Sequence, residues 1–260
     1  LVQAGDTTYD FMMPPIQDSA KLAADGILWD LTMFDSIKLD QPWWNQVFAE
    51  ATSIGGKSYY ANGDISLTFM RAAYAILFSK NVLSKYDLDS PYSLVTDGKW
   101  TIDRMAQIAR DVYIDLNNNG ASDADDQLGF GTYLTMSSTD AFVYGSDIEF
   151  TTRDAEGFIE LQMMSDDAVK LAEKLVNFFY QEGSYFNFDG DAPKETVFIE
   201  GRMMFLGNSN LGAAKALRDM KDDFGILPYP KFDEEQAEYK NHTVTVIGNR
   251  LFPVCANRRN

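Results

Sequence analysis

Cysteine and histidine are nearly absent from this sequence of 260 residues, which holds one of each, Cys255 and His242. A single cysteine excludes an internal disulfide and any metal cluster built on cysteine ligands. A single histidine argues against serine or cysteine hydrolase triads, which need a histidine base, and against zinc sites that need several histidines. The composition therefore points away from these classes of hydrolase and zinc protein.

Basic residues are also scarce, because 22 Lys and Arg stand against 39 Asp and Glu, a formal net charge of −17. Such a surface repels a phosphate backbone or an anionic bilayer, so we expect no binding of nucleic acid or of a membrane surface. No apolar run approaches the ~20 residues of a membrane span, and no signal peptide opens the chain. The chain starts at Leu1 without a Met, which indicates a processed piece of a longer protein.

Strand and helix patterns alternate along the chain, which is typical of an α/β fold, and its length favours two lobes over one large domain. The clearest unit begins with an apolar run, Met203 to Leu206, that stops at Gly207 and passes into three polar residues. A helix is predicted over Leu211 to Met220 and a strand over Phe224 to Leu227. In open α/β sheets such polar strand ends hold ligands.

Four further elements follow from local pattern. The almost continuously apolar stretch Ser66 to Ser79 predicts a strand buried on both faces. Thr101 is predicted to cap a helix, and Gly55-Gly56-Lys57 to form a hairpin turn. Ser165 to Gly183 predicts an amphipathic helix with Ala168, Leu171, Ala172, Leu175, Phe178 and Phe179 on its core face.

The most specific chemical motif is the twelve-residue stretch 115–126, which has the spacing of an EF-hand calcium loop. Gly120 is at loop position six, where the chain turns sharply, and oxygen donors occupy positions one, three, five, seven, nine and twelve. Asp126 replaces the usual Glu at position twelve, and a strand rather than a helix is predicted to follow. We therefore expect a structural Ca²⁺ site, with a turn that binds no metal as the alternative. Its predicted ligands are Asp115, Asn117, Asn119, Ala121 (through its carbonyl), Asp123 and Asp126.

The segment 197–239 resembles one known family. A helix ended by Gly201, a buried strand, a polar strand end and then DDFGILPYPK at 222–231 are similar to the second lobe of family 1 extracellular solute-binding proteins of bacterial ABC importers. The phrase from Gly26 to Leu31 and the hairpin at Gly55 are similar to its first lobe. The resemblance implies a two-lobe, type II periplasmic-binding-protein-like α/β fold in which lobe one (1–72 and 229–260) is truncated. Lobe two is then 73–228 and carries the calcium-type loop.

The function implied by this resemblance is the capture of a carbohydrate, an oligosaccharide above all, between the lobes. The closed form would then deliver its ligand to the membrane permease subunits of the importer, without catalysis. We expect a monomer located outside the cell or at its surface, held by a lipid anchor in the parent protein.

Aromatic residues are plentiful, with 13 Tyr, 18 Phe and 4 Trp, as expected where flat rings support sugars. The loops that the family places at its cleft supply the ligand-binding candidates Gln17, Asp18, Trp43, Trp44, Asp64, Arg71, Tyr133, Ser137, Thr139, Asn208, Ser209 and Asn210. Some have structural alternatives, since either tryptophan could pack inside lobe one, Asp64 could cap a turn, and Asn208 or Ser209 could cap a helix.

Two other classes of function stay open. A carbohydrate-active enzyme could use neighbouring acids, Asp222 with Asp223 or Asp125 with Asp126, as acid and base. Alternatively, the same fold could bind a peptide, a polyol or a lipid-like solute, or serve as the sensing partner of a histidine kinase. The scarcity of basic residues favours a neutral ligand in each case.

Overall fold

The computed structural model describes residues 16–64, 71–133, 135–186, 193–218 and 220–240. Contacts between Cα atoms divide the chain into two compact units. Unit 1 is Leu1–Ala72, Thr151–Leu161 and Thr243–Asn260, and unit 2 is Ala73–Phe150 and Gln162–His242. The assignment of 1–72 and 229–260 to lobe one and of 73–228 to lobe two stays a prediction.

Helices and strands are interspersed along the chain. In chain order they are α1 (Ile16–Ala24), a 3₁₀ helix (Leu31–Met33), α2 (Gln46–Ala51), β1 (Tyr74–Ser79), α3 (Lys80–Lys85), α4 (Pro91–Thr96), α5 (Ile102–Asp111), β2 (Leu128–Thr132), α6 (Met136–Gly145), β3 (Thr151–Arg153), β4 (Ile159–Leu161), α7 (Asp166–Phe179), β5 (Ser184–Phe186), α8 (Lys194–Ile199), β6 (Met203–Asn210), a second 3₁₀ helix (Leu211–Lys215) and β7 (Phe224–Leu227).

Unit 2 is built on a five-stranded mixed sheet in the order β5-β2-β6-β1-β7. Strand β2 runs parallel to both β5 and β6, and β1 runs antiparallel to both β6 and β7. Every residue of β1 and β2 is buried, as expected for central strands covered on both faces. The carboxyl ends of β5 and β2 lie at one edge of the sheet.

Helices pack on this sheet as their sequence patterns predict. The Thr101 hydroxyl accepts a hydrogen bond from the Arg104 amide at 3.2 Å, which caps α5. Trp100 is completely buried beside it, and its indole N–H donates to the Pro228 carbonyl at 2.9 Å. The cap and the buried indole together fix where α5 begins.

Helix α7 presents the predicted apolar face to the core. Phe178 and Phe179 are buried, with ring centroids 4.7 Å and 6.0 Å from that of Phe130 in β2. Ala172, predicted on the same face, is instead exposed, because it lies at the edge of the buried stripe. The amphipathic pattern thus gives the helix and most of its packing face correctly.

Two predicted elements differ in the structure. The strand predicted from Ser66 starts only at Tyr74, Arg71 is helical, and 65–70 lie outside the described residues. Burial alone cannot distinguish a helix from a strand in an apolar run. The helix predicted over 211–220 is a short 3₁₀ helix, Leu211–Lys215, because β6 continues to Asn210 and pairs there with Tyr74 of β1.

Unit 1 contains the predicted tight turn and a separate hairpin. Gly55 and Gly56 have φ values of 55° and 73°, and Ile54 pairs with Lys57 across them, as a two-residue turn requires. Strands β3 and β4 form the hairpin, and the Arg153 guanidinium donates to the carbonyls of Glu50, Ala51 and Ser53 at 3.3, 2.9 and 3.0 Å. These carbonyls lie at the carboxyl end of α2, where the last carbonyl groups of a helix have no amide partner within the helix.

Across the described ranges, no helix has both the length and the apolar character needed to cross a bilayer.

Candidate functional site

The calcium-type loop leaves α5 and returns to β2 as a closed segment. Ile114 and Gln127 exchange two backbone hydrogen bonds, of 3.0 and 3.1 Å, directly outside positions one and twelve. The Asp115 carboxylate accepts hydrogen bonds from the amides of Asn119 at 3.3 Å and Gly120 at 2.9 Å. Gly120 has a φ of 76°, the left-handed conformation expected at position six.

Asp126 fastens the other end of the loop. Its carboxyl group is fully buried and accepts from the amides of Leu116 at 2.9 Å and Asp123 at 3.1 Å. Its carbonyl oxygen accepts from the guanidinium of Arg202 at 2.9 Å, and the same nitrogen donates to the Ala124 carbonyl. Arg202 directly precedes β6, so these hydrogen bonds connect the loop to the start of that strand.

The Asp123 carboxylate accepts hydrogen bonds from several other polar groups of the loop. It accepts from the Asp125 amide at 2.9 Å and from the side-chain amides of Asn119, at 2.6 Å, and Asn117, at 3.1 Å. These hydrogen bonds, that of the Asp125 amide first, lower the pKa of the Asp123 carboxyl group. The carboxylate is thus stabilised in its charged form.

The donor chemistry of this loop fits a hard cation, because it offers three carboxylates, two side-chain amide oxygens and the backbone carbonyl of Ala121, which accepts from the Tyr113 hydroxyl at 3.2 Å. The carboxylates are nevertheless not drawn together around one point. Within the described part of the chain, no group of three or more Asp, Glu, His or Cys side chains is assembled so as to hold a metal ion. Calcium binding therefore stays a prediction.

A second polar region lies at the carboxyl edge of the unit 2 sheet. Strand β2 ends at Thr132, so Tyr133 directly follows its carboxyl end, and Asn208 lies in β6 two residues beyond Leu206, which pairs with Gly131 of β2. The Tyr133 carbonyl accepts from the Thr135 amide at 3.0 Å and from the Ser138 hydroxyl at the start of α6. Two predicted candidates, Tyr133 and Asn208, thus share one edge of the sheet.

Tyr133 also contacts a pair of charged residues that the sequence analysis missed. Lys194, the first residue of α8, has a fully buried side chain, and its ammonium lies 2.7 Å from the Glu195 carboxylate. The Tyr133 hydroxyl donates to the other Glu195 oxygen at 2.9 Å, and the ammonium lies 4.5 Å from the centre of the Tyr133 ring. Together these contacts form one connected Tyr–Lys–Glu cluster.

The protonation of this cluster follows from burial and charge. Burial, followed by the hydrogen bond and the charge of Glu195, raises the pKa of Tyr133 to about 12. Burial lowers the pKa of Lys194 against the opposing charge of Glu195. Burial would raise the pKa of Glu195, but the charge and hydrogen bond of Lys194 outweigh it and the pKa is lowered. At neutral pH the tyrosine therefore carries its proton and Glu195 is ionised.

In unit 1, three of the predicted ligand-binding residues come together. The Asp64 amide donates to the Trp43 carbonyl at 2.9 Å, and Trp44 pairs with Gly63 as an antiparallel bridge. The Trp43 side chain is 48% exposed, whereas the Trp44 indole N–H donates to the Ile37 carbonyl at 3.2 Å. Trp43 is thus the more accessible ring of the two, and Asp64 is exposed beside it.

The remaining candidates lie elsewhere or outside what the structure describes. Gln17 and Asp18 belong to the first turns of α1 rather than to a loop, because the helix begins at Ile16. Arg71 is exposed, and Thr139 is half-buried in α6. The side chains of Gln17, Asp18, Ser137 and Asn208–Asn210 are outside the described part of the structure, although their backbones are in α1, α6 and β6.

Asn208, Ser209 and Asn210 differ from the prediction in one further respect. They form the last three residues of β6 rather than a loop, and Ser209 and Asn210 pair with Ala75 and Tyr74 of β1.

Comparison with solved structures identifies the fold class. The α/β architecture is that of two-lobe, type II periplasmic-binding-protein-like proteins, as predicted. No family model matches the sequence, and no curated protein matches it either.

Three solved structures show the extent of the similarity. An ABC substrate-binding protein from Listeria monocytogenes in complex with cycloalternan has a TM-score of 0.60 at 16% identity, over 99% of this chain and 59% of that one. The maltose/maltodextrin-binding domain MalE from Bdellovibrio bacteriovorus, bound to maltotriose, has a TM-score of 0.59 at 14% identity, over 100% and 60%. The apo form of RafE from Streptococcus pneumoniae gives 0.61 at 17%, over 99% and 61%. The chain thus spans about 60% of the length of these proteins.

Proposed function

We propose that this protein is a non-catalytic, carbohydrate-binding component of an ABC importer. The observation that carries this proposal is the fold, which aligns over nearly the whole chain with proteins bound to cycloalternan and to maltotriose. These neighbours are binding proteins rather than enzymes, which supports a receptor without a catalytic step. The acid pairs Asp222–Asp223 and Asp125–Asp126 lie in a turn and in the calcium-type loop, so they form no paired catalytic site in this account.

The candidate residues support an oligosaccharide as the ligand. Trp43, with an accessible side chain, and the exposed Asp64 are joined by a backbone hydrogen bond, and Tyr133 follows the carboxyl end of β2 in the unit 2 sheet, next to β6, which contains Asn208. Flat rings beside hydrogen-bonding groups match the apolar faces and hydroxyls of sugars. Lys194 is paired with Glu195, so its ammonium is not offered to an anionic ligand. We therefore propose a neutral oligosaccharide.

The partners and location that we propose follow from the same function. The protein would act as a monomer outside the cell or at its surface, anchored as a lipoprotein in its parent form, and would deliver its ligand to the membrane permease. The formal net charge of −17 supports the absence of nucleic-acid binding.

We further propose that the loop 115–126 binds a structural Ca²⁺. The support is the donor set, the Gly120 conformation and the closure of the loop by Ile114 and Gln127. A bound Ca²⁺ would supply positive charge against Asp115, Asp123 and Asp126 and so link the end of α5 to the start of β2. Because no paired EF-hand is present in the described residues, the role would be structural rather than that of a sensor.

A thermal-shift screen tests the proposed class of function. Oligosaccharides, monosaccharides, polyols and short peptides would each be added at about 100 times a micromolar Kd, that is at roughly 0.1 mM, which stabilises a binding protein by about 2.7 kcal/mol. We expect shifts from oligosaccharides without release of any smaller sugar, checked by chromatography. Shifts confined to polyols or peptides, or turnover of a glycan, would assign the alternative functions.

A further inference from the structure

We propose that Lys194 and Glu195 are positioning residues that hold Tyr133 so that its ring, and not its hydroxyl group, meets a carbohydrate bound at unit 2. This inference rests on the proposed function and assigns a task to three residues in that binding site. It adds two charged residues, Lys194 and Glu195, that the sequence pattern gave no reason to select.

The hydroxyl group of Tyr133 is already used inside the protein. It donates its proton to the Glu195 carboxylate at 2.9 Å, so this donor is not available to a sugar hydroxyl. The side chain is half-buried, which leaves part of the residue accessible at the sheet edge. What Tyr133 can still offer a ligand is therefore its apolar ring.

Lys194 cannot itself be a ligand contact. Its side chain is completely buried, and its ammonium is engaged with the Glu195 carboxylate at 2.7 Å and with the Tyr133 ring at 4.5 Å. A buried ammonium is stable only when it is paired in this way. Its effect on a ligand must therefore pass through Glu195 and Tyr133.

The main chain of Tyr133 is fixed as well as its side chain. Its carbonyl oxygen accepts hydrogen bonds from the Thr135 amide and from the Ser138 hydroxyl, while the ring end is held by Glu195. An aromatic group that is immobile before binding loses little conformational entropy when a ligand packs on it. Rigidity is thus the property through which Lys194 and Glu195 would raise affinity.

The test compares ligand affinity among four proteins by calorimetry at neutral pH. Maltotriose, cycloalternan and raffinose serve as probes for the wild type, Tyr133→Phe, Glu195→Gln and the double variant. Immobilising one side chain contributes about 0.5–1.5 kcal/mol, so each single variant should weaken the Kd by about 2–13-fold. Tyr133→Phe removes the hydrogen bond between Tyr133 and Glu195, and Glu195→Gln weakens it by removing the charge of its acceptor. Since both changes act on the same hydrogen bond, the double variant should bind no more weakly than the weaker single variant.

Tyr180→Phe is the matched control, because Tyr180 also lies in unit 2 and is 71% exposed, outside the cluster. Its Kd should equal that of the wild type. Tyr133→Phe keeps the Lys194–Glu195 ion pair, so the proposal stays testable if Glu195→Gln unfolds.

A merely structural role would lower the melting temperature of the variants and leave the Kd of the folded protein unchanged, which overturns the positioning role. Fully additive losses in the double variant would also overturn it. Wild-type protein that binds none of the probes contradicts the proposed function itself. In that case ¹³C NMR of the tyrosine rings still shows whether the hydrogen bond between Tyr133 and Glu195 exists. If this hydrogen bond is absent, the positioning role is overturned independently of the proposed function.

Discussion

The backbone amide of Asp64 lies 2.9 Å from the carbonyl oxygen of Trp43, although 21 positions separate the two residues in the chain. Next to this hydrogen bond, Trp44 and Gly63 form an antiparallel bridge. Two short segments with no regular strand of their own are thereby joined side by side. The pairing holds together the backbones of two exposed residues, Trp43 and Asp64.

Gly63 should be indispensable to this pairing. A Cβ atom added there would lie 1.9 Å from the Trp43 carbonyl oxygen, a backbone atom that cannot rotate away. We predict that Gly63→Ala destabilises unit 1 by about 1–3 kcal/mol, the usual cost of overpacking. Urea unfolding measures the change.

Gly145→Ala is the comparison for that variant, since its added Cβ would come no closer than 3.1 Å to a neighbouring atom, the Tyr229 Cβ. It should cost less than about 1 kcal/mol, within the range of mild surface or small-volume changes. Equal losses in the two variants would contradict the importance of the Trp43–Gly63 contact.

Calcium should raise the melting temperature of the wild type relative to the protein in chelator. Saturation at about 100 times the Kd would add about 2.7 kcal/mol of stability. Asp115→Asn and Asp123→Asn remove a charge but keep an oxygen that can accept the loop hydrogen bonds, so each should abolish most of the shift. Scanning calorimetry with calcium, magnesium and chelator makes the measurement.

Asp89→Asn is the control for the calcium experiment, because Asp89 is an exposed acid of unit 2 outside the loop. It should leave the calcium shift intact. Melting curves of the wild type that coincide in calcium and in chelator would remove the metal from this account.

The ionisation of Tyr133 should make stability depend on pH in the alkaline range. Its pKa of about 12 in the folded protein exceeds the ordinary value of 10.0, so the protonated form favours folding. The contribution is complete below about pH 10 and is lost as the pH rises through about 12. Tyr133→Phe should therefore lose less stability than the wild type between these pH values, as urea titrations at several pH values would show. Parallel losses in both proteins would contradict the assignment.

Arg153 should hold the β3–β4 hairpin to the rest of unit 1. Its guanidinium donates to three carbonyls at the end of α2 and to the Gly157 carbonyl at 2.8 Å. We predict that Arg153→Ala accelerates proteolysis within 151–161, with a loss of about 1–2 kcal/mol because several carbonyls lose their partner. Arg104→Ala, which removes a half-buried arginine of unit 2 whose guanidinium donates to Gln107, should leave the cleavage rate unchanged.

Elements with strong local signals could be predicted from the sequence. The cap at Thr101, the stripe of α7 and the turn at Gly55 depend on neighbours within a few residues, and the structure contains all three. The fold class could be predicted because the elements around β6 and β7 follow one another in a continuous stretch of sequence, and their order resembles that of a known family.

Features that depend on distant pairing could not be predicted in the same way. Strand β6 extends through Ser209 and Asn210 because β1 pairs with them. The residues near them in the sequence do not indicate this partner strand. The burial of Lys194 has the same origin, since a lysine at the first turn of a helix normally lies in solvent. The buried ion pair depends on contacts with Tyr133, a residue distant in the chain, which Glu195 and Lys194 both meet.

The most direct test of the central claim is isothermal titration of the wild-type protein with maltotriose and with cycloalternan, followed by chromatography of the recovered sugars. The account predicts saturable heat for at least one oligosaccharide, loss of that heat on replacing Trp43 with Ala, and recovery of the sugar intact. No heat from any oligosaccharide, or recovery of shortened sugars, would contradict it.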